Sequence, residues 1–281
     1  MSANSRDGTD QEVDTDAPPT FVDAAVAGVL AAVLAGCSEA PAPPSSSSTA
    51  ATVTVTSTVV PATTATPAPL GPNSSNGQSY SVTTTTIEGD SDDGRGSWRA
   101  EFNQLAGGAP AVVEAFNGAS HAAVMDQVDA AKEGASEGTE PWDFESNGQV
   151  SFRSIAVAQV IFGSMYFGAH PSHQIGTIVI DSRSARPIML VDLFADPQAG
   201  LNRLSEQTRA ILAKDGLEVA PDESGAAPNA GNFANWIPTT DGLEFHFNEY
   251  QFGPRLPAVV TVPWTELTEL LAPAMADIAK G

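Results

Sequence analysis

The sequence predicts an α+β domain, a largely antiparallel sheet packed by helices, preceded by a disordered stalk. Three observations carry this reading. Apolar residues recur at helical spacing in three places, separated by runs that alternate like strands. The four tryptophans, Trp98, Trp142, Trp236 and Trp264, all follow residue 78. Between Ser38 and Gln78, 30 of 41 residues are Ser, Thr, Pro or Ala, with one charge and no aromatic. Such a stretch buries too little apolar surface to offset its ordering entropy, and at ~3.1 Å per residue it could extend on the order of 100 Å.

Charge and cysteine usage narrow the function. The 281 residues carry 12 Lys+Arg against 34 Asp+Glu, a net charge of −22. Too few cations remain to line up against phosphates, so nucleic acid is not an expected partner. One cysteine excludes an internal disulfide and any cysteine-rich zinc site. No metal or cofactor is expected.

That cysteine follows an apolar run, residues 24–36, AAVAGVLAAVLAG. Thirteen residues are too short for a membrane span but suit the apolar core of a signal peptide. Leu34-Ala35-Gly36-Cys37 resembles the bacterial lipobox, which implies cleavage between Gly36 and Cys37 and diacylation of Cys37. Two acyl chains anchor stably where one binds reversibly. The leader before the apolar run departs from the usual positive sign, with Arg6 against six acidic residues. The expected organisation is a signal peptide over 1–36, a lipidated Cys37 with a Ser/Thr/Pro/Ala stalk over 37–78, an N-terminal lobe over 79–148 and a C-terminal domain over 149–281. The Thr-Val alternation from Thr52 to Val60 has Pro-rich flanks and is read as part of the stalk.

Within the folded part, Val112, Val113, Phe116, Ser120, Val124 and Val128 predict a helix from Ala109 to Lys132, entered through Gly107-Gly108 and capped by Gly134. Strands follow at Gln149 to Ile155, Ala156 to Phe162 and Ile175 to Asp181, the last turning through Ser182 to Arg186 into a hairpin with Pro187 to Val191. Asp196-Pro197 supplies an N-cap and a first-turn proline for a helix through Leu201, Leu204, Thr208, Ile211 and Leu212, ending near Gly216. Asp215 to Asn232 reads as a surface loop. Gly242 to Phe247 and Ala258 to Val262 alternate as strands, and Trp264, Leu267, Leu270, Leu271, Met275 and Ile278 mark a last amphipathic helix.

Several motifs together resemble one family. Phe167-Gly168-Ala169-His170-Pro171, Ile180-Asp181, Leu190-Val191-Asp192-Leu193-Phe194 opening a helix, Asp241-Gly242-Leu243 and Val262-Pro263-Trp264 are similar to the RsiV-like extracytoplasmic domain. Trp98 to Phe102, Gly107-Gly108 and Phe116-Asn117 resemble its N-terminal lobe. The resemblance spans roughly residues 79–281. It implies an extracytoplasmic binding or sensing domain, as in lysozyme-sensing anti-sigma factors or beside peptidoglycan deacetylase domains. The sequence lacks both a sigma-binding region and a deacetylase domain, so neither activity carries over. It also replaces the family's turn before the final strand with Gly253-Pro254-Arg255-Leu256-Pro257.

Chemical motifs are sparse. His170 and His173 are three apart, but Pro171 between them spoils a helical metal site, and no catalytic residue is assigned. Ser164 lacks the G-x-S-x-G context, with no motif joining it to His170 and Asp192. Asp90 to Gly94 fails the calcium-loop pattern, because its glycine falls one position early. His170, Trp236, Tyr250 and Arg255 are the candidate binding residues. The expectation is a non-catalytic lipoprotein on the extracytoplasmic face of the cell membrane, binding a basic protein such as lysozyme or a cell-wall polymer. The alternative is an envelope hydrolase or esterase using the His170 region.

Overall fold

The computed structural model describes residues 71–168, 170–217, 219, 224–252 and 257–280. Gly36, Cys37, the stalk as far as residue 70 and Arg255 lie outside them. Seven strands form one sheet in chain order: β1 (Ser74–Ser75), β2 (Gln78–Asp90), β3 (Gly96–Gly107), β4 (Trp142–Arg153), β5 (Ala156–Phe167), β6 (His170–Asp181) and β7 (Arg186–Pro187). Neighbours pair antiparallel except β3 and β4, which are parallel. Parallel neighbours need a crossover, and α1 (Pro110–Ala135) supplies it. A smaller antiparallel sheet has the order β10-β9-β8, with β8 Trp236–Pro238, β9 Gly242–Phe247 and β10 Ala258–Pro263.

The large sheet carries a core on each face. Against α1, Val112, Phe116, Val124 and Val128 pack on Phe102, Phe144, Val157 and Ile161. On the opposite face Ala156, Ala158 and Val160 pack on Leu193, Leu204, Trp236 and Phe245. Alternate residues of β5 therefore feed different cores, which is why its sequence is a continuous apolar run. The second helix, α2 (Pro197–Lys214), starts at Asp196, whose carboxylate accepts from the N–H groups of Gln198 and Ala199 at 2.9 and 3.1 Å.

The second core covers only part of its face. Toward the β2 side, the odd residues of β3 and β4 beyond the α1 layer meet solvent: Arg99, Asp143, Glu145 and Asn147 are exposed. β3 and β4 also part company after Ala100 and Ser146. Gln159 bridges the gap, its Oε1 accepting from the Asn103 N–H at 2.7 Å and its Nε2 donating to Ser120 Oγ at 2.7 Å.

The structure corrects several expectations. Residues grouped with the stalk are part of the fold: Ser74–Ser75 form β1, Ser75 is fully buried and its hydroxyl meets Arg153 O and Ser182 Oγ, both at 2.6 Å. Residue 148 lies within β4, so the N-terminal lobe and C-terminal domain share one sheet. Gly134 lies inside α1, which ends at Ala135. Leu190–Leu193 is a 3-10 turn, separate from α2. The last amphipathic helix is absent. Trp264–Glu266 and Ala276–Ala279 are 3-10 turns, and Leu271 bridges Phe194 as an extended residue. Pro273 is the reason, since its ring removes an N–H and clashes with a helical preceding turn. The apolar spacing there still buries Leu267, Leu271 and Ile278. The surface loop from Asp215 to Asn232 is partly packed, with Gly225 and Ala226 buried.

Candidate functional site

Pairing register aligns polar side chains across the uncovered face. Glu88 pairs with Arg99, Arg99 with Glu145, Glu145 with Ser164 and Ser164 with His173. The neighbouring row is Asp90, Ser97, Asp143, Tyr166 and Pro171. In an antiparallel or parallel ladder directly opposed residues share a face, so each row forms a continuous stripe.

The stripes are held by short contacts. Arg99 pairs with Glu88 and, at 3.0 Å, with Glu101, and those hydrogen bonds and charges hold its guanidinium above the ordinary range. Ser97 Oγ donates to Asp143 Oδ1 at 2.6 Å. A groove of about 400 Å³ runs along the rows, lined by Glu88, Asp90, Arg99, Asp143, Glu145 and Tyr166, with Tyr166 48% exposed. Arg99 is the only cation in that lining, so the groove presents negative potential beside an aromatic ring.

Trp98 separates this groove from a second one of about 380 Å³ that includes Asp93, Arg95, Lys132 and Trp142. Its indole stacks on Trp142 at 6.4 Å, and Lys132 Nζ sits 4.4 Å from its ring centre. The Ser91 hydroxyl, the Arg95 N–H and the Arg95 guanidinium hold the Asp93 carboxyl down at about 2.

At the far end of the first row, Ser164 Oγ lies 3.1 Å from His173 Nδ1, and Glu249 Oε1 lies 3.6 Å from His173 Nε2. As the absence of a joining motif implied, neither His170 nor Asp192 bonds Ser164 among the described residues; its partner is the histidine directly across the ladder. Nothing in the linear sequence marks Glu249, which arrives from the segment after β9.

The candidate binding residues are dispersed. His170 is exposed at the start of β6 and has no side-chain partner among the described residues. Trp236 is 4% exposed and packs in the second core, and its N–H meets Thr177 Oγ1 at 3.3 Å. Thr177 is seven residues along β6 from His170, about 23 Å at strand rise. Tyr250 is 73% exposed with a left-handed φ of 61° and follows Glu249 directly. No group of described residues could hold a metal ion, and no described helix is long and apolar enough to cross a membrane.

The second core is built largely from the chain between the Leu190–Leu193 turn and Trp264, with Leu204, Phe245 and Val262 fully buried. Residues 191–265 match the family model DUF3298, described as a protein of unknown function. A crystal structure of a DUF3298 family member from Bacteroides fragilis is 15% identical at a TM-score of 0.50, covering 72% of this chain and 97% of that one. Another, from Pseudomonas aeruginosa, is 14% identical at 0.51, covering 75% and 100%. These likenesses show the fold, and their coverage exceeds the DUF3298 segment, so the large sheet is shared. No curated protein matches the chain. The DUF3298 segment contributes Glu249 and Tyr250 to the border of the uncovered face, while the rows themselves precede it.

Proposed function

We propose that the chain is a non-catalytic binding domain of the cell envelope that docks a cationic partner on the uncovered face of its large sheet. The RsiV-like resemblance points to a basic protein such as lysozyme, with a cell-wall polymer as the other envelope ligand. In this reading Cys37 carries the lipid anchor and the stalk holds the domain away from the extracytoplasmic face of the membrane. The single observation that carries it is the pair of polar rows, where Glu88, Asp90, Asp143 and Glu145 surround one arginine next to exposed Tyr166. A net charge of −22 adds long-range steering toward a cation.

A second reading has its own observation. Ser164, His173 and Glu249 stand in the sequence nucleophile, base and orienting carboxylate, which moves the hydrolase alternative from His170 to His173. Ser164 sits in mid-strand between two paired neighbours, however, so its backbone N–H serves the ladder and offers no oxyanion donor. Binding is the better-supported function.

The test is a titration of the full chain with lysozyme and with an equally basic unrelated protein at ~50 and ~200 mM salt, where screening shortens the reach of exposed charges. Lysozyme binding that persists at the higher salt, and is lost on Asp143→Lys/Glu145→Lys, is the expected result. Equal loss of both proteins with salt rejects lysozyme as the ligand. Undiminished binding by the double variant rejects the face.

A further inference from the structure

The large sheet has a free edge. β6 is twelve residues long and β7 only two, pairing with Ile180 and Asp181. The chain beyond β7 adds one more bond, from the Ile188 N–H to Val179 O at 2.9 Å, and then turns away into the Leu190–Leu193 turn. Asp181 O likewise accepts from the Ala185 N–H at 2.8 Å. Odd-numbered residues of β6 therefore aim their backbone groups away from β5. Pro171 obeys the same parity, since a proline fits a strand only where its missing N–H would face outward. Between His173 and Val179 the odd positions are Ile175 and Thr177, which have no backbone partner for their outward N–H and C=O among the described residues.

An open edge of this kind is normally blunted by charge, proline, a bulge or a covering element. Pro171 blunts one end, but Gln174 to Ile178 carry no charge, proline or bulge, the pairing with β5 is unbroken there, and the Ala234–Trp236 chain meets the stretch through the Thr177 hydroxyl and not through a backbone bond. What lies beside them is an apolar groove of about 350 Å³, lined by Ala119, Thr177, Ile178, Ile180, Leu190 and Trp236. The α1 side of the groove presents alanines. A Cβ on Gly176 would lie 3.3 Å from Gln127 Nε2 and 3.9 Å from the Ala123 Cβ; the Gln127 amide donates to Ile161 O of β5 at 3.1 Å, so the one long helix side chain here is directed toward β5 and away from the edge. At the β7 end, Arg186 precedes the groove-lining Pro187, is exposed, and forms no ion pair among the described residues. That is a lone cation on a strongly acidic chain.

We propose that the β6 edge from Gln174 to Ile178 accepts an extended segment of a partner polypeptide, apolar at alternate positions and carrying a carboxylate where it passes Arg186. The outward groups of Ile175 and Thr177 supply backbone hydrogen bonds, as in strand addition generally, and the groove takes the alternate side chains. This interface is separate from the acidic face and does not depend on it.

The probe is an end-capped, fluorescein-labelled peptide that alternates Val and Thr and ends in Glu, titrated into the full chain. Its controls are the same peptide N-methylated at alternate amides and a version ending in Lys. Ile175→Pro removes an outward N–H while leaving the β5 ladder intact; Ala119→Gln fills the groove from the helix, and decides the matter if the proline variant does not fold. Saturable binding to the natural chain is expected, weaker by about tenfold for Ile175→Pro, for Ala119→Gln and for the N-methylated peptide, in line with the loss of one or two backbone hydrogen bonds. Arg186→Glu is expected to reverse the preference between Glu and Lys ends. No saturation up to ~1 mM peptide overturns the proposal. So does equal binding of the N-methylated peptide, or undiminished binding by folded Ile175→Pro.

Discussion

Ser164 and His173 face each other across β5 and β6 with Oγ 3.1 Å from Nδ1, and Glu249 stands 3.6 Å beyond the ring at Nε2. The carboxylate favours the tautomer with its proton on Nε2, which leaves Nδ1 to accept from the serine hydroxyl. Glu249 belongs to the segment after β9, so this line ties the uncovered face to the second core.

The line also gives the sharpest test of the non-catalytic reading. A nucleophilic serine requires pre-placed donors for the developing oxyanion, and the ladder on both sides of Ser164 uses the backbone groups that could provide them. A fluorophosphonate probe incubated with the full chain is therefore expected to leave Ser164 unmodified by mass spectrometry. Stoichiometric labelling that disappears in Ser164→Ala and His173→Ala would establish the hydrolase instead.

Gln159 is fully buried and holds three groups at the opening between β3 and β4: the Asn103 N–H, Asn103 O and Ser120 Oγ. Leucine at this position has similar size but no polar atoms, so these groups would be stranded in the core. Stranding a buried donor or acceptor costs about 1–3 kcal/mol, so with three groups affected Gln159→Leu is expected to lose at least about 3 kcal/mol. A urea midpoint that falls at unchanged slope checks this; an unchanged midpoint would mean that water takes over the role of the amide.

Asp181 and Arg183 set part of the acid stability. Burial pushes the Asp181 carboxyl up, but the Arg183 guanidinium, the Arg183 N–H and the Ser184 N–H together outweigh it, leaving the carboxyl below its ordinary value. The contacts are close, with Arg183 Nη2 at 2.7 Å and the Arg183 N–H at 2.8 Å. A depressed carboxyl contributes stability that is fully present above its unfolded pKa of about 3.9 and is lost as pH falls through the native value. Asp181→Asn is thus expected to lower the melting temperature at pH 7 and to flatten its decline below about pH 4. An acid limb as steep as that of the natural chain would contradict this assignment.

What the sequence made legible follows from whether local chemistry and tertiary packing agree. The start of α2 was readable because Asp196-Pro197 is both a cap and a first-turn proline, and the structure uses it as both. β5 was readable because burial on two faces leaves a continuous apolar run. Its neighbours were cut short: Asp143, Glu145 and Asn147 lie on the uncovered face, so the first half of β4 alternates with charges and reads as loop. β2 keeps the Ser/Thr composition of the stalk because most of its side chains meet solvent. The acidic groove was hidden for a related reason, since its residues come from different strands and only register brings them together. Among the histidines, sequence favoured His170 beside its proline, whereas register selects His173.

Gly96 and Gly118 make an internal contrast. A Cβ on Gly96 would fall 1.9 Å from Trp142 Cε2, in a site where Trp142 is 3% exposed and stacked on Trp98. Gly96→Ala must therefore displace the indole, and forced repacking of this kind costs about 1–3 kcal/mol. A Cβ on Gly118 meets nothing within 4 Å on the exposed side of α1, where alanine has the higher helix propensity. Gly118→Ala is expected to stabilise by about 0.5–1 kcal/mol. Tryptophan emission and near-ultraviolet dichroism separate the two effects, because only Gly96→Ala disturbs the stacked indoles and the Lys132 ammonium that lies 4.4 Å from the Trp98 ring centre. If both alanines shifted the melt equally and left the spectra unchanged, Gly96 would not be what seats Trp142 against Trp98, and the two grooves that share Trp98 would not depend on it.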